Sequence, residues 1–500
     1  MELEPARCYQ AILARDRRFD GRFFTGVVTT GIYCRPVCPV PPPKFANMRF
    51  YACAAAAEAA GFRPCKRCRP ETAPGTPAWT GSSAVVSRAL RLIAAGGLDG
   101  DDLDAFAARL GIGQRQLRRL FAQHLGASPS DVARARRVHF ARTLLDQTEL
   151  PVSEVALAAG FASIRQFNHL LKATFGETPT ALRARRRKAD LAAPGRGIVM
   201  RLPYRPPLAW EAMLGFLASR AIPGVESVAG GAYRRSARIG DATGIVEVRR
   251  GPERVGAPHH ASHLAMRVEL PGCPDLIGVV ERARRLFDLG ADPSRIAERL
   301  RTSDVLAPLL DAMPGLRVPG AWDPFELAVR AILGQQVTVQ GATTLAGRLV
   351  RAFGTPLASP RDGITHLFPA PEVLAEADLA PVGLPRARAA ALRGLAAEVA
   401  SGRLSLDASA GLDETVARLA ALPGVGPWTA HYVAMRALGE PDAFPDGDLG
   451  LRRALARGPA PASAADVLAA ADAWRPWRSY AAMYLWTSPP AEPRAMEEAS

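Results

Sequence analysis

Two cysteine pairs near the N-terminus constrain this chain more than any other feature. Cys34 and Cys38 lie in GIYCRPVCP, Cys65 and Cys68 in GFRPCKRCRP, with 26 residues between the pairs. Two close pairs of thiols brought together form the four-sulfur tetrahedral set that one Zn²⁺ ion prefers. A metal held this way links two stretches of chain and dictates the local fold. A closed structural knot and a site with a reactive thiolate are both compatible with the spacing. Seven cysteines in 500 residues do not make a disulfide framework, and thiols at metal spacing suit a reducing compartment. Cys8, Cys53 and Cys273 read as small buried fillers.

Charge narrows the function. The net charge is +15, and residues 1–200 hold 30 Lys and Arg against 16 Asp and Glu, whereas residues 201–500 hold 33 against 32. An excess confined to one part of a chain is the footprint of a phosphate-binding surface. Lys44, Lys66, Lys172 and Lys188 are all the lysines, so none follows residue 188. No run of about 18 apolar residues marks a membrane span, and the segment MELEPARCYQ has no signal-peptide layout. A cytoplasmic, nucleoid-associated protein without membrane contact is expected.

Pro, Gly and Ser cluster at 70–83 and 189–197, marking breaks; a polar tail starts at Pro489. Between the breaks, DDLDAFAARLGIGQRQLRRLFAQHLGASP and PVSEVALAAGFASIRQFNHLLKATFGETP share one layout. A short helix ends at Gly111 or Gly160, a turn follows, and a second helix stops at Gly126–Pro129 or Gly176–Pro179. Each fits a helix-turn-helix whose second helix enters a major groove. Leu117, Leu120 and Phe121, and Phe167, Leu170 and Leu171, would face the core. Arg115, Gln116, Arg118, Arg119, Arg165, Gln166, Asn168, His169 and Lys172 would face outward, with the polarity that reads guanine and adenine edges. Residues 84–186 resemble the AraC-type DNA-binding domain, the second unit more closely, and the RARRRK run Arg183–Lys188 adds to the basic face.

The wording TTGIYCRPVC and FRPCKRC resembles the N-terminal domain of the Ada adaptive-response family over most of residues 5–75. That resemblance implies a zinc-bound cysteine, here Cys34, that accepts a methyl group from a methylated DNA phosphate. The chemistry is sensible on general grounds, since the thiolate is the nucleophile and metal binding keeps it deprotonated. Methylation would remove one negative charge from the site. The nearby cations Arg35, Lys44, Arg49, Arg63, Lys66 and Arg67 would then hold DNA phosphates more tightly. The P-C-H-R motif of the family's second methyl-acceptor domain is absent, so repair of alkylated guanine oxygen is not expected.

In the second half, alternating stretches such as GIVEVRR and HLAMRVEL read as strands, and the pattern from about residue 300 is helical. LPGVGPWTAHYVAMRALG (422–439) reads as a helix-hairpin-helix whose Gly424 and Gly426 expose backbone N–H groups to a phosphate. PDGDLGLRRAL follows, with Asp446 and Asp448. With WDPFELAVRAILGQQVTV and WRPWRSYAAMYLW, residues 200–488 resemble an AlkA-type 3-methyladenine DNA glycosylase along nearly their whole length. The resemblance implies that Asp448 is the catalytic carboxylate, that Trp428, Tyr432 and Trp486 line the base pocket, and that Gln336 wedges into the duplex. Without the family, Asp448 reads as a helix N-cap, the aromatics as core, and Asp446 as a loop residue; Trp474 and Trp477 are best read as core. Cationic alkylated purines suit electron-rich ring faces, worth about 0.5–2 kcal/mol. Bifunctional relatives use a hairpin lysine as nucleophile; Trp428 stands there, so a monofunctional enzyme is expected.

The expected fold is multidomain and mainly α. It comprises a small zinc-bound α/β domain (1–78), an all-α double helix-turn-helix domain (83–188), an α+β domain (200–305) and an all-α helix-hairpin-helix glycosylase domain (306–490). One Zn²⁺ on four cysteines, a monovalent cation at the hairpin and no organic cofactor are expected. So are alkylated and promoter double-stranded DNA and RNA polymerase as partners, with the protein a monomer. The competing reading is a transcription regulator whose glycosylase part only binds DNA.

Overall fold

The computed structural model describes residues 4–74, 84–100, 102–186, 197–252, 262–456 and 458–487. Much of the two expected breaks, the end of the basic run including Lys188, and the tail from Pro489 lie outside the described residues. The N-terminal part packs helices Pro5–Leu13 and Ala54–Ala59 on a four-stranded sheet. Its strand order is Met48–Tyr51, Phe24–Val27, Ile32–Cys34, Arg63–Pro64. The last two strands run parallel with Tyr33 opposite Pro64, and this pairing sets the end of one cysteine segment beside the start of the other.

Seven helices follow, from Ala84–Ala94 to Pro179–Ala184. The repeated layout has a clear local cause. Gly126 and Gly176 end their helices at φ 71° and 75°, a left-handed geometry that glycine adopts without a Cβ penalty. Ser128 and Thr178 then cap the next helices, donor to hydroxyl, at Asp131 N and Ala181 N, with Pro129 and Pro179 at the first helical position. Leu117, Phe121, Phe167 and Leu171 are buried as expected, whereas Leu120 and Leu170 are half-buried.

The second half opens with a five-stranded antiparallel sheet, in the order Ile198–Pro203, His263–Glu269, Ala242–Arg250, Ala232–Ile239, Glu226–Ala229. Helices from Leu276–Leu286 to Arg478–Thr487 complete it. One element departs from the all-helical expectation for its last part. Thr355–Arg361 and Ile364–Leu367 form a hairpin turning through Asp362 and Gly363, both at positive φ. Asp-Gly is the residue pair such tight turns demand. Ile364 is fully buried against Ile245, Leu357 and Leu367, so packing on the neighbouring sheet fixes the hairpin. Among the described residues no helix is long and apolar enough to cross a membrane.

The parts are not beads on a string. One apolar core joins Val155, Phe167 and Leu171 to Met200, Leu202 and Leu276, and a cavity of about 590 Å³ lies where the parts meet. Arg91 reaches from the first basic helix to the far half, donating to Leu438 O at 2.7 Å and Glu440 Oε1 at 2.5 Å. Glu440 is 4% exposed. Arg91→Ala should therefore destabilise the chain by about 3–5 kcal/mol, the cost of leaving one partner of a buried pair unmatched. Denaturant unfolding followed by tryptophan fluorescence will check this.

Candidate functional sites

The cysteine site is assembled by backbone pairing. Cys34 ends its strand, Cys65 N donates to Tyr33 O at 3.0 Å, and Arg69 N donates to Cys65 O at 3.0 Å, curling the second pair into a knuckle. The sulfurs of Cys34, Cys38, Cys65 and Cys68 all lie within 4.8 Å of one another. Tetrahedral Zn²⁺ with bonds of about 2.3 Å requires sulfurs about 3.8 Å apart, so the quartet fits one ion. Hydrogen bonds among the sulfurs push the Cys34 and Cys68 thiols up and pull Cys38 and Cys65 down. A shared set of this kind becomes four thiolates only around a cation. Cys38, Cys65 and Cys68 are buried, while Cys34 alone of the four is half-exposed.

One expected phosphate contact is absent. Arg35 is 2% exposed. It donates to Asp20 Oδ1 at 2.8 Å, Cys68 O at 3.0 Å and Thr72 Oγ1 at 2.7 Å, so it braces the site from within. A guanidinium beside thiolates and a carboxylate is better satisfied inside than on the surface. Lys44, Arg49, Arg63, Lys66 and Arg67 do face outward. Of the other cysteines, Cys8 and Cys53 are buried fillers, and Cys273 is only half-buried.

The site is wired to the helical part. Tyr33, next to Cys34, donates its hydroxyl to Glu58 Oε1 at 2.8 Å, and His139 on the helix Pro129–Gln147 meets the same oxygen at 2.7 Å. Burial opposes charge on His139, yet the Glu58 carboxylate raises its pKa overall. Arg69, beside Cys68, pairs with the fully buried Asp146 of that helix, and Lys66 pairs with Glu177. Arg115, Gln116, Arg118 and Arg119 on Gln114–Leu125 are exposed, as are Arg165, Gln166, Asn168, His169 and Lys172 on Ile164–Phe175.

In the second half, three elements meet at Asp448. It caps the helix Leu449–Ala454 by accepting from Leu451 N at 3.1 Å. Trp428 Nε1 donates to its Oδ2 at 3.0 Å and Trp486 Nε1 to its Oδ1 at 2.9 Å. Tyr432 stacks on Trp428 with centroids 5.2 Å apart and planes at 11°, and faces Trp486 at 6.3 Å. All four side chains are half-buried, so the cluster is an open aromatic cleft with a carboxylate at its rim rather than a core. A Cβ at Gly450 would lie 2.9 Å from Asp448 Oδ1 and press on the carboxylate. Trp474 and Trp477 are buried and pack on Phe444 and Tyr480.

The hairpin turn lies between helices Leu412–Ala420 and Pro427–Arg436. Gly424 has φ 82°, and a Cβ there would strike Ala391 at 2.6 Å; Gly426 is the exposed N-cap of the second helix. Gln335 donates to Gly424 O at 2.9 Å and Thr429 Oγ1 at 3.1 Å, tying the turn to the loop that carries Gln336. Gln336 is exposed at φ 56° beside exposed Val337 and Val339. A side chain held in that left-handed geometry costs about 1–3 kcal/mol, and such strain is found where a side chain must project. Gln335, Arg436 and Phe216 belong to this region but were not singled out from the sequence. Trp428, Tyr432 and Arg436 recur at four-residue spacing, a signal that was there to find.

Four family models match: "Metal binding domain of Ada" over residues 7–71, "Helix-turn-helix domain" over 106–185, "AlkA N-terminal domain" over 199–323, and "HhH-GPD superfamily base excision DNA repair protein" over 329–478. The chain is 46% identical over 484 residues to the "Probable bifunctional transcriptional activator/DNA repair enzyme AlkA" of Mycobacterium tuberculosis, covering 96% of each. The chain belongs to this family of bifunctional transcriptional activators and DNA repair enzymes. It is also 36% identical to DNA-3-methyladenine glycosylase 2 of Escherichia coli, covering 57% of this chain and 95% of that one. With the Escherichia coli bifunctional transcriptional activator/DNA repair enzyme Ada it shares 35% identity over 35% of this chain and 48% of the relative. The four-sulfur cluster is thus the zinc site of an Ada-type domain, and the helix-turn-helix and glycosylase parts bind double-stranded DNA.

Native mass spectrometry should find one zinc per chain, and Cys65→Ser should lose it together with the cooperative unfolding of the first 74 residues, since three sulfurs leave the site open.

Proposed function

We propose that this chain reports alkylation of the DNA backbone and removes alkylated bases. Cys34 Sγ attacks the methyl carbon of a methylphosphotriester. The S–C bond forms, the C–O bond breaks, and its electron pair stays on the phosphate oxygen, restoring an ordinary diester. Zn²⁺, when bound, keeps the thiolates ionised. The half-exposure of Cys34 beside three buried sulfurs supports its role as acceptor. Loss of one negative charge lets the outward cations Lys44, Arg49, Arg63, Lys66 and Arg67 grip phosphates more firmly. The contacts Tyr33–Glu58–His139 and Arg69–Asp146 give that change a route to the paired helix-turn-helix units. Those units would then hold promoter DNA, through Arg115, Gln116, Arg118, Arg165, Gln166, Asn168, His169 and Lys172, for RNA polymerase. The protein acts as a monomer at the nucleoid.

In the second half, an alkylated purine leaves the stack, passes Gln336 and enters the cleft of Trp428, Tyr432 and Trp486. The observation that carries this reading is Asp448 held by two indole N–H groups at the edge of that cleft. A fixed carboxylate there stabilises the positive sugar that develops as the N-glycosidic bond breaks. With no lysine after residue 188, a lysine Schiff base from this half is excluded, and water is the final acceptor. The Gly424–Gly426 turn holds the backbone phosphate.

Asp448→Asn should cut release of alkylated purine by more than about a hundredfold, the usual scale for losing electrostatic stabilisation at a developing charge, with duplex binding kept. Full-rate release by that variant removes Asp448 from the chemistry. Exposure to methylated duplex should add one methyl mass to Cys34; an unchanged Cys34 peptide would reduce the first domain to a structural knot.

A further inference from the structure

One face of the hairpin helix Pro427–Arg436 carries Trp428, Tyr432 and Arg436 at four-residue spacing. Arg436 Nη1 donates to the Tyr432 hydroxyl at 2.6 Å. Arg436 is 4% exposed, and its guanidinium is gripped from behind, donating to Pro319 O and, at 3.3 Å, to Gly320 O. Its carbon sits 4.7 Å from the Phe216 ring centre and 5.5 Å from that of Tyr432. Arginine has donors and no acceptor, so the polarity of the bond is fixed and the phenol oxygen must accept. Arg220 and Arg330 face the same phenol, and the three cations hold its pKa below the ordinary value although burial works the other way.

The links form a series. Arg436 holds the Tyr432 oxygen, Tyr432 lies flat on Trp428, and Trp428 Nε1–H holds Asp448 Oδ2. A planar guanidinium fixed by main-chain carbonyls has little rotational freedom, so it holds the phenol oxygen in one place. We propose that Arg436 is a positioning residue for base excision: by holding the Tyr432 hydroxyl it fixes the far end of the ring on which Trp428 stacks, and so helps to seat the indole N–H that holds Asp448. This inference rests on the reading of Asp448 as the excision carboxylate. The competing account is a plain staple, in which Arg436 only ties the hairpin helix to the loop at Pro319 and Gly320.

A double-mutant cycle on the full chain separates the two, read as single-turnover release of a methylated purine from duplex DNA. Arg436→Gln should slow release by about tenfold or more, the scale of a charge-assisted hydrogen bond, with duplex affinity unchanged. Arg436→Lys, which can still donate to the phenol, should recover part of the rate. In a Tyr432→Phe background the same Arg436→Gln change should cost less than about threefold, because the bond it removes is already gone. An equal loss in both backgrounds makes Arg436 a staple and overturns the proposal. If Arg436→Gln does not fold, Tyr432→Phe decides alone, since it keeps the ring and deletes only the hydroxyl. A full-rate Tyr432→Phe sinks this proposal by itself, whereas an unmodified chain that releases no base sinks the excision reading and this proposal with it.

Discussion

Buried guanidinium groups hold the parts of this chain together. Arg35 closes the cysteine site onto Asp20, Arg69 locks the knuckle to Asp146, Arg22 reaches Asp292 at 3.0 Å, and Arg91 spans to Glu440. Arg205, Arg235, Arg317, Arg436 and Arg478 are each 5% exposed or less. Lysine could not do this work. Its ammonium loses charge when desolvated and offers no fork, whereas arginine stays protonated and can satisfy several carbonyls and a carboxylate at once. Such pairs add little net stability against an apolar replacement, but each is costly to break. They fix which surfaces meet, and the parts dock in one arrangement because any other leaves a buried charge unmatched.

The aromatic cleft shows how one residue serves two demands. Asp448 caps a helix with Oδ1 and still takes an indole on each oxygen. The N-cap seen here and the excision role proposed for Asp448 are therefore compatible. The cap bond to Leu451 N sets the backbone, and the indoles set the side-chain rotation, leaving the carboxylate with no soft torsion. Fixed dipoles of this kind cost no reorganisation when charge develops beside them. On the proposed reading, electron-rich rings on one side and a carboxylate on the other suit a cationic base and then a cationic sugar.

Local signals in the sequence were legible where chemistry and backbone geometry coincide. The cysteine spacing, the paired glycine-plus-Ser/Thr-Pro caps and the N-cap at Asp448 each need particular residue types, so each could be read directly. What could not be read was pairing between distant segments. Nothing in the charge of Arg35 tells that it turns inward, because that depends on the buried Asp20, 15 residues earlier, lying beside it. Gln335 reaches the hairpin turn and Phe216 reaches Arg436 from separate elements, and their roles exist only after packing. The Asp362–Gly363 hairpin is a different kind of miss: its turn signal was present, but the surrounding helical pattern outweighed it, and burial of Ile364 decided the outcome.

Charge and burial together divide the work of binding DNA. The second half carries 33 Lys and Arg against 32 Asp and Glu, and several of those arginines are consumed by internal partners such as Asp442, Glu326 and the carbonyls of Pro319 and Gly320. Counterion release scales with the phosphates actually neutralised, so this half has little electrostatic reach of its own. The first 200 residues hold the excess, 30 against 16, and keep their helix-turn-helix cations exposed. Docked against them by Arg91, the near-neutral half shares the local DNA concentration that the basic half creates. If damaged bases are held through ring faces and one carboxylate, as proposed, the glycosylase half can then remain selective without a strong pull toward every phosphate. The fusion places the attraction in one half and the discrimination in the other.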